Sequence, residues 1–350
     1  MRLLVLGGTV FLSHAVAAEA ITRGHQVTCA ARGTSGAVPD GATLVRVDRD
    51  APDGLAALAG GVFDAVVDVA SISYPWVADA LALLGGKAGH WTFVSTCNVY
   101  ADHATPGLRP GAQLLPPLAE GGRGDDTDPD RYGSIKVASE NAVRDELGDR
   151  AFVVRPGLIT GPGDGSDRFG YWPARFARGG RVVVPDAPDV LTQHIDVRDL
   201  AAWIVDAGET GLSGTYDGIG PAGPLPDLLR DIADAVGADA ELVPMTPDAL
   251  IAAGVDYWAG PKSLPLWLPP THAGMSSHDA TPSLAAGLHV RPLSETVAGA
   301  LETERRLGLD RERKAGMSAA EEAEVLATIK QQANAASTSG GRLDSGSGRD

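Results

Sequence analysis

The chain has 350 residues, of which 44% are apolar and 21% charged, a composition typical of globular proteins and long enough for one large domain or two ordinary ones. Its 29 Lys and Arg residues face 45 Asp and Glu residues, giving a formal net charge of −16 with His neutral. This negative field opposes binding to nucleic acids and anionic membranes, and no basic run in the sequence would overcome it. We therefore expect neither kind of partner.

Short apolar runs alternate with amphipathic helical patterns through the first half of the chain. The runs predict strands over residues 2–6, 26–30, 43–47, 65–69, 91–95 and 151–155. Between them, the spacing of apolar residues predicts helices such as 13–23 and 77–84. The strands are almost continuously apolar, as expected when helices cover both faces of a sheet. The sequence therefore predicts an α/β fold with a doubly wound parallel sheet.

The N-terminal apolar run and the two cysteines bear on the cellular compartment. Residues 2–20 superficially imitate a secretory signal, but Gly7-Gly8-Thr9 interrupts the run where a strand would turn into a helix, so we favour the strand. No stretch reaches the ~18–20 apolar residues that a spanning helix needs. Cys29 and Cys97 lie in apolar segments rather than at the spacing of a disulfide framework. These features predict a cytoplasmic protein without disulfides.

The turn after the first strand, residues 7–13, is a candidate phosphate-binding feature. In a dinucleotide-binding fold, the pyrophosphate rests on backbone N–H groups at this helix N-terminus, where the helix dipole favours anions. The predicted contacts are Gly7, Thr9, Val10, Phe11 and Leu12. Of the G-x-x-G-x-x-G spacing only Gly7 is present, because Val10 and Ser13 hold the other two positions. An ordinary strand-to-helix turn is therefore an alternative.

A tyrosine and a lysine lie four residues apart in Tyr132-Gly133-Ser134-Ile135-Lys136. Asp128 as N-cap and Pro129 at the first helical position predict that a helix begins just before them. Residues i and i+4 share a helix face, so the ammonium would lie near the phenol and favour its ionised form. The pair predicts acid/base catalysis at neutral pH. An exposed pair on a helix surface is the alternative.

Hydroxyl residues end the strand that precedes this helix, in Phe93-Val94-Ser95-Thr96-Cys97-Asn98-Val99-Tyr100. A hydroxyl at such a position is often just a cap for the next helix. Together with Tyr132 and Lys136, however, this segment resembles the extended short-chain dehydrogenase/reductases, the NAD-dependent epimerase/dehydratase family. The resemblance implies a catalytic triad of Thr96, Tyr132 and Lys136, with Ser95 beside the cofactor and Lys136 in contact with the nicotinamide ribose.

Further segments extend the resemblance over most of the chain, namely 155–163, 195–201 and 214–220. Within the family, 167–173 and 267–269 resemble actinobacterial-type reductases and their plant stem-loop RNA-binding relatives. The resemblance implies that cofactor contacts also come from Asp48, Val69, Ala70, Pro156 and Leu158. An RNA-binding or scaffold function is a remote alternative, against which the acidic charge and the intact triad both argue.

The end of the second strand indicates which nicotinamide cofactor is preferred. A carboxylate there would bind the ribose hydroxyls and repel a 2′-phosphate, whereas Ala30-Ala31-Arg32 offers a guanidinium and no carboxylate. We therefore predict NADP in preference to NAD, with Arg32 as a cofactor contact. Arg32 as a solvated loop residue is the alternative.

The resemblance also implies the chemistry, which is hydride transfer to a small-molecule carbonyl with Tyr132 as general acid/base. We favour a reductase over a nucleotide-sugar epimerase or dehydratase, because Thr192 lies where sugar-nucleotide members usually carry an arginine for the diphosphate. Core packing or a solvated loop would also account for several of the candidate substrate contacts, which are Tyr74, Asn98, Asp164, Arg168, Tyr171 and Trp172. The histidines show no metal-ligand spacing, so we expect no metal. Relatives often form homodimers, which is open here.

The rhythm of strands and helices changes after residue 156 and defines a domain division. We predict a Rossmann domain over 1–155 and 190–217 and a smaller substrate-binding lobe over 156–189 and 218–331. Residues 332–350 are rich in Ser, Gly and Asn with almost no apolar content, so we predict a disordered tail.

Overall fold

A seven-stranded sheet forms the centre of the fold. The computed structural model describes residues 1–70, 73–119 and 128–328. The sheet strands are β1 (Arg2–Leu6), β2 (Gln26–Ala31), β3 (Thr43–Arg46), β4 (Phe63–Asp68), β5 (Ala88–Val94), β6 (Ala151–Pro156) and β7 (Gly214–Gly218). They are parallel and lie in the order β7-β6-β5-β4-β1-β2-β3. The sheet winds outward from β1 in both directions, which confirms the predicted doubly wound α/β fold.

Helices connect these strands and continue beyond them. They are α1 (Phe11–Thr22), α2 (Tyr74–Leu84), α3 (Pro129–Leu147), α4 (Tyr171–Ala177), α5 (Val197–Thr210), α6 (Leu225–Val236), α7 (Pro247–Ala252), α8 (Thr281–Ala285) and α9 (Leu293–Leu307). A further helical stretch covers 319–328. Short 3-10 turns cover Ala56–Leu58, Gly85–Lys87, Cys97–Val99, Gly148–Arg150 and Pro270–Ser276. No helix within the described ranges is long and apolar enough to cross a membrane.

Both faces of the sheet are covered by helices. Successive side chains of a strand point to opposite faces. On one face, Leu3 and Val5 of β1 share a buried cluster with α1 and α5. On the other, Leu4 and Leu6 share a cluster with α2 and α3. This two-sided burial explains why the strand sequences are continuously apolar.

The observed element boundaries differ from the predicted ones by a few residues. Helix α1 begins at Phe11 rather than at residue 13, because the backbone leaves the extended conformation directly after Val10. Helix α2 begins at Tyr74 rather than at residue 77, with Pro75 in its first turn, a position where the missing N–H is harmless. Strand β5 begins three residues earlier than predicted, at Ala88.

The described chain divides into two compact units. The first contains Met1–Asp164, Leu191–Gly223 and Pro269–Gly299, and the second contains Gly165–Val190, Pro224–Leu268 and the chain from Ala300. Residues 269–299, which we assigned to the substrate-binding lobe, therefore lie in the first unit. The physical reason is hydrogen bonding to β7, since the Ser283 hydroxyl donates to the Asp217 carbonyl at 2.5 Å. The predicted tail at 332–350 lies outside the described residues.

The second unit has its own core. Its largest strand pair is Gly180–Pro185 parallel to Ala240–Met245. Trp172 of α4 is fully buried, and its Nε1 donates to the Pro265 carbonyl at 2.9 Å. A buried ion pair at 2.5 Å joins Arg175 to Glu322 of the stretch 319–328. In the two units together, two-residue strands cover Ile159–Thr160, Leu191–Thr192, Ile195–Asp196, Gly223–Pro224, Asp256–Tyr257, Gly260–Pro261, Ser263–Leu264 and Ala315–Gly316.

Candidate active site

The turn between β1 and α1 is shaped by two glycines in the left-handed region. Gly7 has φ of 135° and Gly8 has φ of 103°. A Cβ on Gly8 would lie 2.4 Å from the Cys29 sulfur, and one on Gly7 would lie 2.9 Å from Val69 Cγ2. Side chains therefore cannot be added here without displacing β2 or the residue that follows β4. The turn is held tightly over the carboxyl ends of the strands, where doubly wound sheets bind dinucleotides.

Ser13 replaces the third glycine of the spacing, and its hydroxyl has a local partner. Ser13 Oγ donates to the Val10 carbonyl at 2.8 Å, within the first turn of α1. Val10 is the N-cap of this helix, and its side chain makes no cap hydrogen bond. Val10 therefore leaves the backbone N–H groups of the first turn uncapped by its side chain. These N–H groups are the donors that a bound anion would need.

A cavity of about 210 Å³ lies below this turn. Its lining includes predicted cofactor residues from four different segments, namely Gly7, Thr9, Arg32, Asp48, Val69 and Ala70. The other predicted cofactor residues do not line it; these are Val10, Phe11, Leu12, Ser95, Lys136, Pro156 and Leu158. A contact with the cofactor stays a prediction for the residues of both groups. The structure thus brings the strand-one turn, the β2 end and the β4 end together at one pocket.

The lining residues that the sequence reasoning did not assign to the cofactor include Arg49 and Trp76. Arg49 makes a two-pronged contact with the buried Asp68 carboxylate, at 2.8 and 3.1 Å. Its guanidinium carbon lies 5.5 Å from the Trp76 ring centroid, and Trp76 Nε1 donates to Asp50 at 2.7 Å. The available signal was Asp68 itself, because a carboxylate at the end of an otherwise apolar strand needs a cationic partner.

Helix α3 carries the Tyr-Lys pair, and its predicted start is confirmed. The Asp128 side chain accepts from the backbone N–H groups of Asp130 and Arg131, and Pro129 occupies the first position. Gly133 allows this helix to come close to the 3-10 turn Cys97–Val99, since a Cβ there would lie 2.1 Å from the Asn98 carbonyl oxygen. A small residue between the tyrosine and the lysine is thus required by the approach of two elements.

Lys136 lies in a fully enclosed position. Its Nζ donates to the Ala70 carbonyl at 2.5 Å and to the Val94 carbonyl at 2.7 Å. The same atom lies 5.9 Å from the Tyr132 ring centroid. Burial lowers the pKa of Lys136 to about 7, although the nearby carboxylates of Asp68 and Glu140 favour its charged form. The ammonium is therefore poised to change charge near neutral pH.

Thr96 caps the turn that follows it. Its hydroxyl accepts from the Asn98 backbone N–H at 3.2 Å and donates to the Asn98 side-chain oxygen, also at 3.2 Å. The capping role that we kept as an alternative is therefore observed. Capping does not conflict with a catalytic role, because a hydroxyl oxygen can take part in more than one hydrogen bond. The triad role of Thr96 stays a prediction.

The chain matches no family model and no curated protein. Solved structures are similar over most of its length. A candidate epimerase from Burkholderia cenocepacia J2315 is 23% identical, with a TM-score of 0.64 over 87% of this chain and 98% of that one. TunA, an NAD-dependent NDP-hexosamine 5,6-dehydratase of tunicamycin biosynthesis, is 17% identical, with a TM-score of 0.62 over 89% and 99%. The UDP-glucuronic acid 4-epimerase from Bacillus cereus, solved with NAD, is 13% identical, with a TM-score of 0.62 over 90% and 100%.

This chain has the fold of those epimerases and dehydratases. Identities at this level establish the fold, and a function must be argued from the residues of the site.

A buried group of side chains lies behind the strand ends and was not expected from residue spacing. Cys97, Asp217 and His278 have potential ligand atoms within 4.8 Å of one another. Each already has a hydrogen-bond partner. The Cys97 thiol donates to the Arg155 carbonyl at 3.2 Å, and the Asp217 carboxylate accepts from the Tyr100 hydroxyl at 2.5 Å and lies 3.0 Å from His278 Nδ1. These contacts account for the group as part of the framework of the sheet.

The candidate substrate residues have different environments. Tyr74 is half-buried at the start of α2, and Asn98 is bonded to Thr96 as described. Asp164 is buried, and the Arg168 guanidinium carbon lies 5.0 Å from the Trp258 ring centroid. Tyr171 and Trp172 are fully buried in the second unit and pack edge to face. Their burial explains them as core residues, which was the alternative that we kept. A substrate role for any of the six stays a prediction.

Proposed function

We propose that the protein is a nicotinamide-dinucleotide-dependent enzyme of the extended short-chain dehydrogenase/reductase type. The proposal is carried by the hydrogen bond from Lys136 Nζ to the Ala70 carbonyl, at 2.5 Å. Ala70 lines the pocket below Gly7, and Lys136 lies one helical turn after Tyr132. The hydrogen bond therefore joins the cavity at the carboxyl ends of the strands, where doubly wound sheets bind dinucleotides, with a tyrosine-lysine pair suited to acid/base catalysis.

The residues of the site fit the cofactor, because Gly7, Thr9 and Arg32 line one pocket beside the N-terminus of α1, where backbone N–H groups and the helix dipole favour an anion. When bound, the nicotinamide ring would supply hydride transfer. Tyr132 would hold the proton that moves between its phenol oxygen and the substrate oxygen, and Lys136 would favour the phenolate by its charge. Thr96 would orient the substrate oxygen with its hydroxyl, and Pro156 and Leu158 would border the nicotinamide.

The cofactor is proposed to be NADP, because the β2 end offers cationic and hydroxyl groups to a 2′-phosphate. Arg32 and Ser35 both line the pocket, and the Arg32 carbonyl is fixed by Arg46 Nη1 at 2.9 Å. Several similar structures were solved with NAD, which is a statement about those proteins. Fluorescence titration with NADPH and NADH decides between the two. Tighter binding of NADH would overturn the role of Arg32.

The reaction proposed first is reduction of a small-molecule carbonyl with release of the product. A simple reduction is favoured because Thr192 lies where sugar-nucleotide enzymes usually carry an arginine for the diphosphate. The second candidate is an epimerase or dehydratase that returns the hydride to the same substrate. The similar structures favour it, since several of them are enzymes of that kind. The subgroup of actinobacterial-type reductases, a cytoplasmic location and a homodimer stay predictions.

A panel of carbonyl compounds and sugar nucleotides tests these reactions. A reductase consumes NADPH in proportion to product. An epimerase or dehydratase rearranges or dehydrates a sugar nucleotide without net consumption of cofactor. Tyr132→Phe keeps the aromatic ring and removes the proton donor, so we expect cofactor binding without turnover, with kcat lower by ~10²-fold or more. Failure of the wild-type protein to bind either cofactor would overturn the proposed function.

A further inference from the structure

Glu140 is a fully buried carboxylate on α3, one turn after Lys136. It accepts from Ser95 Oγ at 2.5 Å, from Arg155 Nε and Nη2 at 2.9 and 2.7 Å, and from Arg144 Nη2 at 2.5 Å. A buried carboxylate is tolerated only when such donors satisfy it. The two arginines account for its charge. They do not account for its contact with Ser95, which lies at the end of β5.

Ser95 directly precedes Thr96, so the contact reaches the backbone of the predicted triad. Lys136 binds the residue before Ser95, because its Nζ donates to the Val94 carbonyl at 2.7 Å. Two side chains one turn apart on α3 thus hold two consecutive residues at the end of β5. We propose that Glu140 is a positioning residue that, through Ser95, fixes Thr96 against the helix face that carries Tyr132 and Lys136. This inference rests on the proposed function, which gives Thr96 and Tyr132 their roles.

Arg155, which binds the Glu140 carboxylate, is itself held in place by contacts of the sheet. Arg155 is fully buried on β6, and its Nη1 donates to the Tyr100 hydroxyl at 3.0 Å and to the Pro110 carbonyl at 2.9 Å. The Tyr100 hydroxyl in turn donates to Asp217 of β7 at 2.5 Å. Glu140 is therefore held from β6 as well as by its own helix. Such a fully bonded buried network fixes one arrangement of its members.

Cofactor binding would change the hydrogen bonds of Lys136 but not those of Glu140. Lys136 Nζ donates hydrogen bonds to the Ala70 and Val94 carbonyls. To bind the ribose, it must donate at least one hydrogen bond to a ribose hydroxyl instead. Glu140 is an acceptor with no part in that exchange. The contact between Glu140 and Ser95 can therefore hold the end of β5 in register with α3 while Lys136 serves the cofactor.

The charge of Glu140 has a second, separable effect. The groups that act on Lys136 are Asp68 of β4 and Glu140, which raise its pKa, and Arg49, which lowers it; burial lowers it most. The Tyr132 ring lies beside the same ammonium. Without the Glu140 charge, the pKa of Lys136 would fall further. The alkaline limb of activity, where Lys136 loses its proton, would then move to lower pH.

Two substitutions separate position from charge, and a third is their control. Ser95→Ala removes the link to Thr96 and leaves the Glu140–Arg155 pair in place. We expect kcat to fall ~10- to 100-fold, as for a misplacement of about 1 Å, with the pH profile unchanged. Glu140→Gln should lower kcat and also move the alkaline limb to lower pH. Ser139→Ala removes a buried hydroxyl that bonds only to Ile135 of its own helix among the contacts described, at 2.9 Å, and should behave as wild type.

Hydrogen exchange tests the link without any substrate. In Ser95→Ala, the backbone amides of 95–99 should exchange at least ~5-fold faster than in the wild-type protein, and the amides of α3 should exchange at the wild-type rate. In Ser139→Ala, the amides of both segments should exchange at the wild-type rate. Wild-type kcat and wild-type exchange in Ser95→Ala would overturn the positioning role. A kcat loss equal in Ser95→Ala and Ser139→Ala would also overturn it. Absence of cofactor binding by the wild-type protein would overturn the proposed function instead, and the exchange measurement would still decide whether the link exists.

Discussion

Gly133 gives the sharpest test of how α3 is seated against the end of β5. Its backbone is helical, so alanine would by propensity alone stabilise α3 by ~1 kcal/mol. A Cβ at this position, however, would lie 2.1 Å from the Asn98 carbonyl oxygen and 2.6 Å from Leu115 Cδ1. The Leu115 side chain can rotate away. The Asn98 oxygen belongs to the backbone, so the helix and the turn must separate by at least about 1 Å to relieve the clash.

The magnitudes decide the sign of this effect. Overpacking of a close contact costs ~1–3 kcal/mol, and a 2.1 Å contact with backbone belongs in the upper part of this range, at ~2–3 kcal/mol, which exceeds the gain of ~1 kcal/mol in helix propensity. We therefore expect Gly133→Ala to lower the free energy of unfolding by ~1–2 kcal/mol and the Tm by roughly 2–6 °C. A separation of about 1 Å between Tyr132 and Thr96 should lower kcat by ~10²-fold.

The assays are thermal denaturation and turnover on whichever substrate the panel identifies. Gly86→Ala is the matched control, because a Cβ at Gly86 meets nothing within 4 Å and its φ is not in the left-handed region. We expect this variant to have wild-type Tm and kcat. A Gly133→Ala protein with a Tm at or above the wild-type value and unchanged kcat would refute the close approach of α3 to the turn.

Three further predictions concern charge. Lys136 has a pKa lowered to about 7, so folding disfavours its protonation: the wild-type free energy of unfolding should rise as pH increases from 7 toward 10.5, and below pH 7 the full penalty applies. Lys136→Met should therefore stabilise the protein at pH 6, by ~1–3 kcal/mol once its lost hydrogen bonds are counted, and abolish turnover; a Tm below wild type at pH 6 would contradict this. Arg32→Ala should weaken NADPH binding ~10- to 100-fold and leave NADH binding nearly unchanged, as measured by fluorescence titration; equal losses for both would refute a 2′-phosphate contact. Arg155 and Ser95 help to hold the pKa of Glu140 below its ordinary value, so its contribution to stability is present above pH 4.5 and lost as pH falls through the lowered pKa. Urea denaturation between pH 3 and 5 should show a weaker pH dependence in Glu140→Gln than in the wild-type protein.

The sheet, its helices and the Tyr-Lys spacing could be predicted because each depends on neighbours in sequence. Continuous apolar runs specify strands buried on both faces, and Asp128 with Pro129 specifies where α3 begins. A spacing of four residues is enough to place Tyr132 and Lys136 on one face, whatever the rest of the chain does. These features follow from backbone geometry and local hydrogen bonding.

The surroundings of those residues were decided by contacts between distant segments. Arg49 meets Asp68 and Trp76 across separate loops, and Ser95 meets Glu140 across 45 residues of sequence. Residues 269–299 joined the first unit for the same reason, through contacts with β7. The periodicity of apolar residues and their helix or strand propensity do not indicate which distant residues will be in contact.

The sequence by itself determined a doubly wound sheet, a glycine turn after β1 and a tyrosine with a lysine one turn later on a capped helix. The tertiary structure alone decided that Lys136 would be buried against Ala70 and Val94, and that its pKa would fall toward neutrality. The physical reason is that desolvation and the charges around a group depend on what the fold packs against it, whereas helix and strand periodicity depend on the chain's own geometry.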